Sequence, residues 1–70
     1  MALEDYKVVL YRNQPYGWIA EVPSIDGCYA LMPTRAEALS ELEQVFAMIE
    51  AEYRDKGTSL PADTTEIVHV

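Results

Sequence analysis

A chain of 70 residues with one cysteine makes a single domain, 1–70, and closes no intrachain disulfide. A domain this small buries only ~60% of the surface its unfolded chain exposes, so self-association into a dimer or tetramer is the expected support. Twelve acidic against five basic residues leave a formal charge of −7, which disfavours direct nucleic-acid binding and suits either a basic partner or simple solubility.

Half the residues are apolar, so the chain folds rather than staying a disordered tail. No apolar run is long enough to span a bilayer, and the N-terminus has no signal-peptide pattern. The expected location is the cytoplasm.

Residues 6–12, YKVVLYR, are rich in β-branched and aromatic types and predict a strand. Residues 16–22, YGWIAEV, predict a second, with NQP between them as the loop. Folding the two about that loop places Leu10 opposite Trp18 and Val8 opposite Ala20 on one face. Val9 then opposes Ile19, and Lys7 opposes Glu21, on the other. The loop PSIDG leads to a third predicted strand, residues 28–32, CYALM.

Thr34 followed three residues later by Glu37 is a capping-box pattern. Beyond it Ala38, Leu39, Leu42, Val45, Phe46, Ile49 and Tyr53 recur at helical spacing. Lys56 and Gly57 form a natural end, so the spacing predicts a helix over 35–56. TSLPADT reads as a connection and TEIVHV, residues 65–70, as a last strand. The expected fold is α+β in the order β-β-β-α-β: a three-strand antiparallel meander, a right-handed crossover helix on one face, and a fourth strand parallel to the first, with strand order 3-2-1-4.

The helix is expected to cover the face of Val8, Leu10, Trp18, Ala20, Val22, Cys28 and Ala30. The other face shows Val9, Tyr11, Ile19, Tyr29 and Leu31, an apolar area that points to an oligomer interface. Its bland counterpart is a wet sheet face with scattered apolar residues. Cys28 faces the core with no base or His near it in sequence, so it reads as a small buried hydrophobe and not as a reactive thiol. Two-metal nuclease chemistry needs clustered carboxylates, and only Glu21 and Asp26 lie near one strand end. His69 stands alone on the last predicted strand. The chain reads as non-enzymatic, with no catalytic, cofactor-binding or metal-binding residues.

The stretch GWIAEVPSIDGCYALMPTRAEAL resembles the HicB family of antitoxins of bacterial toxin–antitoxin pairs. The matching positions are Trp18, Ala20, Glu21, Val22, Pro23, Gly27, Cys28, Thr34, Glu37 and Ala38, with Leu60 and Pro61 later on. The similarity runs from Tyr6 to Val70. Many members have Gly-Asp before the threonine where this chain has Met32 and Pro33, so the turn into the helix is expected to be built differently. The resemblance implies part of a ribonuclease H-like fold and a partner, HicA, a small basic mRNA-cleaving toxin. Candidate contacts are then Ser24, Ile25 and Asp26 in the loop and Glu37, Glu41 and Glu52 on the helix. A solvated helix face is the competing reading of those acids. Full-length HicB antitoxins usually add a C-terminal DNA-binding domain; the sequence given stops at Val70 and has no basic patch, so operator binding is not expected to carry over. The alternative is an orphan HicB-like homo-oligomer with no toxin partner.

Overall fold

The computed structural model describes residues 2–13 and 15–69. A 3-10 turn, Leu3–Asp5, leads into β1 (Val9–Arg12), β2 (Trp18–Glu21), β3 (Tyr29–Met32) and the long helix α1 (Arg35–Asp55). The strands form one antiparallel sheet in the order β1-β2-β3, and α1 lies across β3 and β2. The fold is α+β, a meander followed by one helix.

The helix begins and ends as its sequence dictates. The Thr34 hydroxyl accepts the Glu37 N–H at 3.2 Å, and the same hydroxyl donates to the Glu37 carboxylate at 2.9 Å. At the far end Gly57 takes φ 70°. Its N–H donates to Arg54 C=O, and the next N–H, of Thr58, donates to Tyr53 C=O. This is a Schellman closure, in which glycine accepts the left-handed backbone without a Cβ penalty.

The strands are shorter than the apolar runs that announced them. The predicted 6–12, 16–22 and 28–32 contract to four residues each. The pairing is also displaced: Leu10 faces Ala20, Tyr11 faces Ile19 and Arg12 faces Trp18, where the sequence suggested Leu10 against Trp18. The cause is the turn. Asn13 N–H donates to Gly17 C=O at 3.1 Å, so Pro15 lies inside the connection instead of closing it. The displacement is two residues, the period of a strand, so each side chain stays on its expected face. Glu21 consequently faces Val9, and Lys7 pairs elsewhere.

The core sits between sheet and helix. Ala20, Val22, Cys28 and Ala30 from the sheet meet Ala38, Leu42 and Phe46 from α1, with Val8, Leu10, Trp18 and Met32 packed partly buried around them. Two further residues complete it. Tyr6 is buried, its ring 5.8 Å from that of Phe46. Ile25, in the loop between β2 and β3, is only 2% exposed. That loop folds under itself, with Ile25 N–H donating to Val22 C=O and Cys28 N–H to Ile25 C=O.

The predicted fourth strand is the main correction. Among the described residues, 65–69 form no strand, and Val70 lies outside them. What holds the chain after the helix is a side chain. Asp63 accepts from Lys7 N–H at 3.0 Å and Lys7 Nζ at 3.4 Å on one oxygen, and from the Ser24 hydroxyl at 2.9 Å and Thr65 N–H at 3.1 Å on the other. The Ser24 hydroxyl in turn accepts Thr64 N–H at 2.9 Å, and Tyr6 donates its hydroxyl to Pro61 C=O. The segment is clipped across the end of the sheet, where Pro23 has no N–H to extend the ladder beside Lys7.

The clip is acid-sensitive. The Thr65 N–H bond, against the opposing effect of desolvation and with help from Lys7 and Ser24, holds the Asp63 carboxyl far below its ordinary 3.8. A depressed carboxylate contributes stability that is fully present above its unfolded value and fades as pH falls from about 4 toward the folded value. In Asp63→Asn the amide nitrogen cannot accept, so one pair of donors loses its acceptor. Whichever of the Lys7 and Thr65 amides faces the new nitrogen is expected to exchange on the order of tenfold faster in that variant, with no remaining pH step below 4. Site-resolved hydrogen exchange reads both effects; an unchanged acid profile in the variant refutes the assignment to Asp63.

Candidate functional site

Two surfaces gather the residues singled out from the sequence. The first is the sheet face away from α1. The ladder arranges it as two cross-strand rows, Val9–Glu21–Tyr29 and Tyr11–Ile19–Leu31. Tyr29 is 57% and Leu31 51% exposed, Tyr11 is also exposed, and Val9 and Ile19 are half-buried between their neighbours. Glu21 is the charged residue of these rows. Desolvation and then the nearby Glu21 carboxylate raise the Tyr11 phenol above its ordinary value, so Tyr11 stays a neutral hydroxyl at physiological pH. At one edge, exposed Tyr16 joins Leu31, Met32 and Pro33 around a shallow apolar depression. On the opposite face of the sheet the Arg12 guanidinium lies 5.7 Å from the centre of the Trp18 ring, within cation–π range.

The second surface is the outward side of α1. Glu37, Glu41, Gln44, Met48 and Glu52 are all exposed, at the three- and four-residue steps that make one stripe. Glu37 is engaged in the cap. Near the C-terminal end Asp26 and Glu52 line one open depression with Tyr53, Lys56 and Thr58. The fold thus brings the loop acid beside the last helix acid, while Glu37 and Glu41 lie toward the other end of the same helix.

The remaining loop candidates serve the structure. Ile25 lies in the core and not on the surface where a partner contact was expected. Ser24 is spent on Asp63 and the Thr64 N–H. Cys28 is a buried free thiol whose pKa burial raises, which suppresses the thiolate a reactive cysteine requires. His69 is exposed. Among the described residues no three His, Cys, Asp or Glu side chains are placed to hold a metal ion, and no helix is long and apolar enough to cross a membrane.

Asp63 was not foreseen. Its signal in the sequence is short: an Asp two residues before a Thr whose N–H it accepts is an Asx-turn pattern. Only the fold brings Lys7 and Ser24 to the same carboxylate. Comparison of the chain with protein-family models, with curated proteins and with solved structures found no match.

Proposed function

We propose that the chain is a non-catalytic, HicB-like protein-binding module that neutralises a small basic toxin of the HicA type, an mRNA-cleaving protein, by direct contact. The observation that carries this reading is the exposed acidic stripe of α1, extended at its C-terminal end by Asp26, on a chain of net charge −7. Such a surface is complementary to a basic RNA-binding face and steers its approach. The resemblance to the family rests on the residue pattern from Trp18 to Ala38, continued at Leu60 and Pro61.

The test is native mass spectrometry of the tagged chain recovered from its own cells, followed by an RNA-cleavage assay on any small basic protein retained in fixed ratio. The chain is expected to suppress cleavage. Glu41→Lys combined with Glu52→Lys is expected to weaken that inhibition about tenfold or more at low salt, with the helical circular dichroism unchanged. Inhibition unaffected by the double reversal removes the acidic stripe as the binding surface. A retained partner that cleaves no RNA removes the toxin.

A second reading is an orphan homo-oligomer assembled through the open sheet face, favoured by the exposure of Tyr11, Tyr29 and Leu31. In the same mass-spectrometric experiment it gives only multiples of this chain. Tyr29→Asp or Ile19→Lys then reduces the assembly while folding persists.

A further inference from the structure

Among the described residues the outer edge of β1 has no neighbouring strand, and residues 65–69 form no strand of their own. Asn13 N–H donates to Gly17 C=O, which sets the phase of the β1–β2 ladder. Bonded pairs alternate along an antiparallel ladder, so Tyr11–Ile19 and Val9–Glu21 are the bonded pairs of the observed register. The backbone groups of Leu10 and Arg12, and of Val8 just before them, therefore point away from β2. β1 is an outer strand, so among the described residues these groups form a row without ladder partners, of the kind folded proteins usually cover or blunt.

Residues 65–69 have the composition of a strand and the exposure of none. Ile67 is 66% and Val68 68% exposed, flanked by Glu66 and His69, also exposed. The segment is not loose at its root. The bonds from Asp63 to Lys7, Ser24 and Thr65 fix it beside the start of β1.

We propose that residues 65–69 form a strand donated to the β1 edge of a second copy of this chain, which returns its own segment by the same two-fold operation. Three features of the molecule fit that occupant. Strand addition satisfies the outward backbone groups of Val8, Leu10 and Arg12. Successive side chains of the added strand fall on opposite faces, so one of Ile67 and Val68 meets Val9 and Tyr11 while the other meets Val8 and Leu10. Charge agrees: β1 and its approach carry two of the chain's five basic residues, Lys7 and Arg12, one on each face, the first already beside Asp63 and the second over Trp18, so Glu66 approaches a basic edge. The edge of β3, with Tyr29 and Leu31 facing outward, offers no charge to Glu66. An exchange through one two-fold axis is reciprocal and closes as a dimer. The proposal is independent of what covers the open sheet face.

Amide hydrogen exchange followed by NMR on the full chain, across a concentration series, tests it. The amides of Val8, Leu10 and Arg12 are expected to be protected at least about tenfold relative to exposed loop amides at high concentration, and to lose that protection on dilution. Ile67→Pro and Val68→Pro are to be run beside the parent. One of two adjacent prolines must remove a ladder donor, so at least one variant is expected to lose both the protection and the dimer while keeping its helical circular dichroism. Fast exchange of the three amides at every concentration overturns the proposal. So does protection that dilution leaves unchanged, which means the segment pairs with its own β1. Tyr29→Asp is the control: loss of the dimer in that variant with the prolines inert assigns the association to the sheet face and overturns strand donation.

Discussion

Phe46→Ala is expected to destabilise the protein by about 3–5 kcal/mol, the usual loss for truncating a buried aromatic. Phe46 is 5% exposed and lies in the row Ala38, Leu42, Phe46 that α1 turns toward the sheet. Its ring also meets Tyr6 at 5.8 Å with the planes at 59°, a tilted pairing worth roughly 0.5–1.5 kcal/mol beyond burial alone. A domain of this length has a total stability of roughly 4–10 kcal/mol at the usual range per residue, so one truncation removes a large share of it. The damage extends beyond the helix. Tyr6 carries Pro61 on its hydroxyl, and a Tyr6 ring that loses its partner loosens the hold on the C-terminal segment. Urea denaturation followed by circular dichroism measures the loss, with Met48→Ala on the exposed side of α1 as the comparison, expected within about 0.5 kcal/mol of the parent. Equal midpoints for the two variants contradict the packing described.

Gly17→Ala is expected to be nearly as harmful, by roughly 2–4 kcal/mol from two independent costs. Gly17 takes φ 84°, and a Cβ there meets the Met32 carbonyl oxygen at 2.8 Å and the Leu31 Cδ1 at 3.3 Å. The first cost is the left-handed backbone, about 1–2 kcal/mol for a residue with a Cβ. The second is overpacking against a backbone atom of β3, which cannot swing aside as a side chain would. Relief requires β3 to move from β2, where Trp18 faces Met32. The same denaturation experiment measures it. Gly57→Ala separates the two costs: its φ is 70° with open space around the site, so it is expected to lose only the backbone part, about 1–2 kcal/mol. A Gly17→Ala variant no less stable than Gly57→Ala removes the steric half of the argument.

The candidate surfaces were legible in part. Val9, Tyr11, Ile19, Tyr29 and Leu31 share a face because strand parity is a local property that survives a two-residue error in register. Glu37, Glu41 and Glu52 are exposed because the helical period puts them away from Leu42 and Phe46. Ile25 was misread for a physical reason. A lone apolar residue between Pro23 and Gly27 has no periodicity to place it, and only the return of the loop beneath Val22 and Cys28 buries it. Asp63 was silent because three of its four donors belong to Lys7 and Ser24, far from it along the chain.

The sequence by itself determined the elements whose causes lie within a few residues. The cap at Thr34, the apolar stripe of α1, the close at Gly57 and the two faces of the meander all follow from local spacing. Tertiary structure decided the rest. The register of β1 on β2 depended on the turn at Gly17, whose glycine is demanded by the approach of Met32. The last segment reads as a strand from its β-branched residues, yet a strand exists only where an edge receives it. Within one chain Asp63 clips that segment across the end of the sheet, and its backbone is left without a ladder. Composition sets the propensity of residues 65–69 for extended structure; pairing is a long-range event, and the partner edge is no property of those residues.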